Sequence, residues 1–195
     1  MTEPGPRLRA DAQRNVEDIR RAALDVFRIG GLSSPLGEVA RAAGVSKGTI
    51  YHRFGGRQGL IDAVVEDLVA ERITGIIATV DTIADPVERF EEYLRRIWLL
   101  QYDEPAANDV LLRALPASEA VNSLCEHASE AAGRLLGDAQ ATGRIRHDLT
   151  PDDVYLLIWE RGIIARACDQ QPREGYRRRF EYTLAGLRAP AEPSP

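Results

Sequence analysis

The sequence predicts an all-α fold, and three observations lead to this prediction. Apolar residues recur three and four positions apart over most of the chain, as they do on one face of an α-helix. No sustained alternation of apolar and polar residues, and no Asn-Gly or Asp-Gly turn between apolar runs, points to a β-hairpin. Proline and glycine divide the chain into about nine segments of helical character. With 195 residues, 44 % of them hydrophobic, the chain can bury a core.

The first two predicted helices are bounded by glycine and by a serine-proline sequence. Helix 1 covers about residues 12–29 and ends at Gly30 and Gly31, because glycine readily takes the left-handed conformation that closes a helix. Helix 2 follows the Ser-Ser-Pro sequence at 33–35, which offers a capping hydroxyl and a proline for the first turn. It ends before Gly44.

Helix 3 is short and polar. Ser46 stands at its start, where a serine hydroxyl caps a helix. Within it, only Ile50 and Phe54 are expected to face a core. A helix with so polar an outer surface is expected to face a partner.

The rest of the chain is predicted to hold six further helices. A long helix starts near Arg57 and ends before Asp85 and Pro86, so it can connect two parts of the molecule. Thr150 and Asp153, three positions apart, have the spacing of an N-terminal capping pair. The other helices are expected over 86–103, 105–115, 118–142, 151–168 and 173–188.

Charge is distributed unevenly along the chain, whose formal net charge is -5. Residues 1–57 hold ten Lys and Arg against six Asp and Glu, whereas residues 58–195 hold 15 against 24. This separation predicts a phosphate-facing module attached to an acidic body that would not itself lie on a nucleic acid.

The composition disfavours several classes of protein. Two cysteines, Cys125 and Cys168, are too few for a disulfide scaffold, so we expect reduced thiols in a cytoplasmic protein. No apolar run approaches the roughly 20 residues of a membrane span. The histidines lack a zinc-ligand spacing, and no phosphate loop, nucleophile-base pair or carboxylate pair indicates an enzyme. We therefore expect no metal, no cofactor, no catalytic residue and no membrane partner.

Residues 36–54 have the pattern of a helix-turn-helix, two short helices joined through Gly44 with a polar second helix. Such a unit holds its second helix outward so that N-terminal side chains enter a major groove of DNA. An ordinary αα-hairpin at a protein surface has the same spacing. The residues expected to contact base edges or phosphates are Ser46, Lys47, Gly48, Thr49, Tyr51, His52, Arg53 and Arg57.

The amino-acid sequence of this region is a more specific indicator than the spacing of its helices. The stretch GVSKGTIYHRF at 44–54, followed by RQGL at 57–60, closely resembles the DNA-binding signature of the tetracycline-repressor (TetR) family of bacterial transcription regulators. The stretches AALDVF at 22–27 and VARAAG at 39–44 match it as well. Two departures are visible: Gly37 replaces a polar residue of helix 2, and Arg57 with Gln58 replaces the commoner Lys-Glu pair.

The resemblance implies two domains and a set of partners. Residues 10–57 would be the DNA-binding domain and residues 58–189 a ligand-binding and dimerisation domain, with 1–9 and 190–195 as disordered tails. The implied function is that of a homodimeric repressor, released from a palindromic double-stranded operator by a small-molecule inducer. In the family the last two helices of each subunit form a four-helix bundle across a two-fold axis.

The sequence of the body, residues 58–189, contains fewer features that indicate a function. Trp98 and Tyr102 lie one turn apart, and Arg161 interrupts an apolar run, where a buried guanidinium needs a partner such as Glu160 or a ligand carboxylate. Each such residue can equally be packed in the core. The candidate ligand-binding residues are Trp98, Tyr102, His127, Trp159 and Arg161. The candidate dimer-interface residues, which can also belong to one chain's core, are Val154, Ile158, Ile163, Ala165, Tyr176, Phe180 and Leu184.

A thiol-based redox sensor is the alternative function, with Cys125 or Cys168 as the reactive group. The two cysteines stand 43 residues apart, and free cysteines are more often buried small hydrophobes. A helical-bundle enzyme is the least favoured alternative, since no catalytic constellation supports it.

Overall fold

The computed structural model describes residues 6–112, 119–167 and 172–190, and within these ranges it confirms the all-α fold. The described residues contain one isolated antiparallel β-bridge, between Ile145 and Arg188. The predicted tails fall largely outside the described ranges, as does Cys168. The helices are α1 Pro6–Gly30, α2 Leu36–Ala42, α3 Lys47–Phe54, α4 Arg57–Val65, α5 Glu71–Val80, α6 Pro86–Asp103, α7 Pro105–Leu111, α8 Glu119–Gln140, α9 Pro151–Ala167 and α10 Arg173–Leu187.

The first three helices form a compact unit around a small apolar core. Phe27, Val39 and Ile50, one from each helix, are fully buried. The chain leaves α1 through Gly31, whose φ of 77° lies in the left-handed region that favours glycine. Helix α1 begins at Pro6, earlier than the apolar periodicity predicts, so residues 6–9 are helical and the expected tail is shorter.

The two predicted serine caps have different outcomes. Ser46 caps α3 as expected, because its Oγ accepts the Thr49 N–H at 3.1 Å. The capping hydroxyl expected from the Ser-Ser-Pro sequence at 33–35 does not form: the buried Ser34 hydroxyl donates to the Gly31 carbonyl at 2.9 Å instead. Pro35 occupies the N-cap of α2 without a side-chain bond.

The long helix predicted after Arg57 is interrupted. A π-helical segment, Glu66–Ala70, separates α4 from α5, which is why the described residues hold ten α-helices where the sequence predicts nine. A π turn closes its hydrogen bonds over five residues and occurs mostly as a single turn inside an α-helix. Arg20 of α1 reaches this segment, since its Nη2 donates to Asp67 Oδ2 at 3.0 Å.

Helix α6 is the centre of the remaining helices and contacts α5, α7, α8, α9 and α10. Its N-cap is Asp85, whose Oδ1 accepts the N–H groups of Val87 and Glu88 at 2.9 and 3.0 Å. Its core side chains include Trp98, whose ring centroid lies 5.0 Å from that of Phe180 on α10. No helix among the described residues has the length and apolar character needed to cross a membrane.

Helix α9 is apolar on two faces. Its start is the predicted capping pair, with Thr150 N–H donating to Asp153 Oδ2 at 2.8 Å and Asp153 N–H donating to Thr150 Oγ1 at 3.2 Å. One face packs into the core. The opposite face stays exposed. We use the term α9 patch for its large exposed apolar residues together with the exposed Tyr182 of α10: Leu156, Trp159, Ile163, Ile164 and Tyr182.

Candidate functional site

Helix α3 presents its polar face to solvent. Ile50 is fully buried and fixes the helix on the core below it. Tyr51 is 58 % exposed, and Lys47, His52 and Arg53 are exposed beside it. These four side chains can reach hydrogen-bond acceptors of a nucleic acid without any rearrangement of the fold.

The start of α3 is held rigidly. Ser46 Oγ lies 3.0 Å from Thr49 Oγ1 as well as accepting the Thr49 N–H, so the two predicted contact residues fix each other. Thr49 is half-buried, whereas Ser46 and Gly48 are exposed. Gly48 leaves a bare stretch of backbone at this end of α3, where another molecule could approach closely.

Gly37 has a role in placing Lys47. A Cβ atom at position 37 would lie 2.8 Å from Lys47 Cε, so the missing side chain leaves room for the lysine stem to cross α2. The departure from the family pattern at Gly37 therefore leaves space for a neighbouring cation. The packing of a long stem against backbone keeps its charged end in solvent.

Arg57 has partners within its own chain. Its Nη1 donates to the Leu32 carbonyl at 2.7 Å, and its Nη2 donates to the Ser34 carbonyl at 2.7 Å. These two bonds tie the first turn of α4 to the loop between α1 and α2. The structure thus gives Arg57 a positioning role that the sequence did not predict, while its contact with a phosphate stays a prediction.

Replacing Arg57 with methionine is expected to lower the free energy of unfolding by about 1–3 kcal/mol, because two hydrogen bonds from a charged donor are lost. Urea denaturation measures this change. A purely structural role leaves the salt dependence of DNA binding unchanged, whereas a lost phosphate contact lowers the slope of log K against log salt by about 1. Arg53→Met is the matched control for the unfolding measurement, since Arg53 is exposed on α3.

The five predicted ligand-binding residues do not share one cavity. The guanidinium of Arg161 lies over the Trp98 ring, 5.5 Å from its centroid, and donates to Thr183 Oγ1 and to the Arg179 carbonyl on α10. Arg161 therefore joins α9 to α10, and desolvation lowers its pKa. The other candidates lie apart, and their contact with a ligand stays a prediction: Trp98 is fully buried in packing, His127 is exposed on α8, Trp159 lies in the α9 patch, and Tyr102 lines a separate cavity beside α1.

An apolar cavity of about 110 Å³ lies among α6, α7, α8 and α9. Tyr93, Cys125, Ser129 and Tyr155 are among its lining residues, together with alanine, leucine and isoleucine side chains. The Tyr93 hydroxyl donates to the Ala128 carbonyl at 2.9 Å, and burial raises its pKa well above the usual value. The sequence did not predict this cavity because its walls come from four different helices, and the α8 residues among them, Cys125, Ala128, Ser129 and Ala132, are small side chains that usually pack in a core.

Five of the predicted interface residues lie in the core of the chain, which corrects the prediction. Val154, Ile158, Tyr176, Phe180 and Leu184 are buried within one subunit, because these faces of α9 and α10 pack inward. Ala165 is half-buried. Ile163 is exposed and belongs to the α9 patch.

The sequence does contain the signal for the α9 patch. Leu156, Trp159 and Ile163 repeat at helical spacing on a second stripe, offset from the buried stripe of the same helix. A helix that is apolar on two faces needs a second packing partner.

Cys125 is buried, and its Sγ lies 3.2 Å from the Val110 carbonyl oxygen that it approaches as donor. Burial in apolar surroundings suits a structural cysteine rather than a reactive one. Nothing in the described residues supports the thiol-sensor alternative.

Two sequence-family models match this chain. Residues 19–64 match the model described as bacterial regulatory proteins of the tetR family, and residues 85–189 match the C-terminal domain of SbtR-like transcriptional regulators. The HTH-type transcriptional regulator BetI of Rhizobium meliloti (strain 1021) is 28 % identical over an alignment of 119 residues, and the match covers 51 % of this chain. The match spans 59 % of the length of that curated relative.

Solved structures agree with the family models. A TetR transcriptional regulator from Streptomyces coelicolor has 26 % identity and a TM-score of 0.57, covering 90 % of this chain and 99 % of its own. FadR from Bacillus subtilis, solved in complex with stearoyl-CoA, shares the fold at 17 % identity, with a TM-score of 0.66 and coverage of 88 % and 97 %. The exposed face of α3, the helical body, and a C-terminal domain model that matches more than half of the chain lead to one conclusion: this protein is a transcriptional regulator of the TetR family.

Proposed function

We propose that the protein is a dimeric repressor that binds a palindromic operator and leaves it when a small molecule binds the body. The observation that carries this proposal is the surface of α3, where Lys47, Tyr51, His52 and Arg53 are exposed around a buried anchor, Ile50. Polar side chains on a rigidly capped helix are what reading the major groove requires.

The exposed residues of α3 have distinct roles in this proposal. Lys47 and Thr49, in the first turn, contact base edges, while Tyr51 and His52 donate to phosphate oxygens. Arg53 is close enough along the helix to contribute to either. Base contacts specify a sequence, whereas phosphate contacts position the protein on any duplex.

The α9 patch is the proposed dimer interface. It combines four apolar side chains of α9 with Tyr182 of α10, and its residues range from 38 % to 68 % exposed. Apolar surface of this kind, with Trp and Tyr among its members, is typical of protein interfaces. A two-fold pair places two α3 helices on half-sites about 34 Å apart, which gives a palindrome as the operator.

The cavity among α6, α7, α8 and α9 is the proposed effector site. Its mostly apolar lining, with a few hydroxyl groups and the carboxylate of Asp152, suits a small, mainly apolar molecule with one or two polar atoms. Stearoyl-CoA, which the Bacillus subtilis FadR holds, is far larger than a volume of about 110 Å³. The effector proposed for this chain is therefore much smaller than an acyl-CoA.

Selection of bound duplexes from a random DNA pool, at physiological salt, tests the DNA-binding proposal with the full-length protein. We expect enrichment of a palindrome with half-sites about one helical turn apart. Binding without enrichment, or enrichment of a single half-site, would contradict a dimeric sequence-specific regulator.

Variants of α3 test the assignment of roles by mobility shift. Thr49→Val is expected to change the preferred base at one position and to cost about 1–3 kcal/mol on the selected operator only. Tyr51→Phe is expected to weaken the binding of operator and random DNA equally, by about 1 kcal/mol. Arg134→Met on α8 is the control, because Arg134 is exposed in the body and pairs with Asp81. Equal losses on both DNAs for Thr49→Val would overturn its role in reading bases.

A further inference from the structure

A second cavity, of about 440 Å³, lies where the DNA-binding helices meet the body. It is lined by the end of α1, by α6 and α7, and by the last turns of α9. It is distinct from the apolar cavity among α6, α7, α8 and α9, since the two share no lining residue. Its residues are Ile29, Gly30, Gly31, Gln101, Tyr102, Pro105, Asn108, Asp109, Ala165 and Arg166.

Buried polar side chains line this junction cavity in a fixed orientation. Asn108 Nδ2 donates to the Gly162 carbonyl at 2.9 Å, so Asn108 Oδ1 faces the other way. That oxygen accepts from Gln101 Nε2 at 3.2 Å, which fixes the Gln101 amide in turn. Gly162 permits this approach, because a Cβ there would lie 2.5 Å from both amides.

The fixed orientation leaves one acceptor without a partner. Gln101 is only 2 % exposed, and its Oε1 has no hydrogen-bond partner. An unsatisfied buried carbonyl oxygen costs about 1–3 kcal/mol. The Gln101 carbonyl oxygen can therefore accept a hydrogen bond from a donor on another molecule.

A charged pair stands at the same cavity. Asp109 is 3 % exposed, and its Oδ2 accepts the Leu32 N–H at 2.6 Å, from the loop that follows α1. Its Oδ1 accepts from Arg166 Nη1 on α9. Arg166 is half-exposed and has further N–H groups that can bind a second acceptor. The two charges cancel, so the cavity wall is neutral as a whole.

We propose that the junction cavity binds a small zwitterion, a molecule that carries a carboxylate and an ammonium group like a free amino acid. The carboxylate binds the guanidinium of Arg166, and the ammonium donates to Gln101 Oε1. A ligand with a single net charge would bring an unpaired charge to a wall that is neutral as a whole, which is unfavourable, whereas a zwitterion brings one of each. Ile29 and the Tyr102 ring provide apolar surface for the remainder of the ligand.

The position of this site links it to DNA binding, and to that extent the inference rests on the proposed function. Its lining comes from α1 on one side and from α7 and α9 on the other, so the affinity for a ligand depends on how these parts sit together. A ligand that binds one arrangement more tightly changes the protein's affinity for DNA. By thermodynamic linkage, DNA changes the protein's affinity for that ligand by the same factor.

Titration calorimetry on the DNA-free protein tests the site, so its result does not depend on the existence of an operator. The probes are the α-amino acids of proteins, together with β-alanine, 4-aminobutyrate and 5-aminopentanoate, which differ in the separation of their charges. Propionate and propylamine are the single-charge comparisons. We expect at least one zwitterion to bind at least about tenfold more tightly than either comparison. If no zwitterion does so, the proposal is overturned.

Two variants locate the binding. Gln101→Met preserves volume but removes Oε1, and Arg166→Lys keeps the charge but loses the planar fork. Each variant is expected to lower the affinity for the zwitterion at least about tenfold, and Arg134→Met is expected to leave that affinity unchanged. Circular dichroism and the thermal midpoint confirm that both variants fold; if one does not, the other carries the test. Unchanged affinity in a folded variant places the ligand elsewhere and overturns the assignment.

Discussion

Replacing Trp159 with glutamate is expected to convert the proposed dimer into a monomer and to weaken binding of the proposed operator by at least about 100-fold. Trp159 is 38 % exposed in one subunit, at the centre of the apolar stripe along α9. A carboxylate there would have to be buried without a partner in the proposed interface, which is strongly unfavourable. A single α3 helix then reads one half-site, and the affinity gained from the second half-site is lost.

Sedimentation and mobility shift measure the two parts of this expectation. Leu156→Lys is a second variant with the opposite charge, at a position that is half-exposed and therefore tolerant in the isolated subunit. His127→Glu on α8 introduces the same charge as Trp159→Glu at an exposed site outside the α9 patch. A dimer that survives both patch variants would show that the interface lies elsewhere.

Replacing Arg166 with methionine is expected to lower the free energy of unfolding by about 1–3 kcal/mol, since it leaves a buried carboxylate without its cation, although that cation is itself half-exposed and screened by solvent. The carboxylate is that of Asp109, and the Leu32 N–H remains its other partner. Urea denaturation of the isolated protein gives the value. A loss below about 1 kcal/mol, the usual contribution of an exposed ion pair, would contradict it.

A second substitution is expected to restore stability to this variant. Asp109→Asn keeps an acceptor for the Leu32 N–H and removes the unpaired charge, so the double variant is expected to be more stable than Arg166→Met alone. Such non-additivity is the signature of direct coupling between two residues. Strictly additive losses would show that the ion pair does not hold α7 and α9 together. Arg173→Met, which removes an exposed pair with Asp103, is the matched control.

The DNA-binding part of the chain was the most predictable from sequence. The polar face of α3, the buried Ile50 and the cap at Ser46 follow from local rules of helix formation. Ser34 shows where those rules stop, because its hydroxyl binds a nearby turn carbonyl and Pro35 takes the cap position. The partners of Arg57 were not predictable, since they depend on how the loop after α1 folds back onto α4.

The body was less predictable because its helices have more than one apolar face. In α9 the inward stripe with Val154 and Ile158 resembles the outward stripe with Trp159 and Ile163, and periodicity alone does not say which one meets a second subunit. The junction cavity was missed for a different reason. Asp109 stands within a short apolar helix, and its partners Leu32 and Arg166 are 77 and 57 positions away.

The π turn between α4 and α5 determines how the DNA-binding helices are rotated relative to the body. A π turn holds about one residue more than an α turn, so the five residues 66–70 turn the chain about as far as four residues of a regular helix would. Deleting one residue there is therefore expected to restore a regular helix and to leave α3 facing as before. Keeping all five residues but forcing them into an α-helix would instead rotate α3 by about 100° relative to the body. The hydrogen-bond pattern of this one turn, rather than its side chains, therefore sets the direction in which α3 faces.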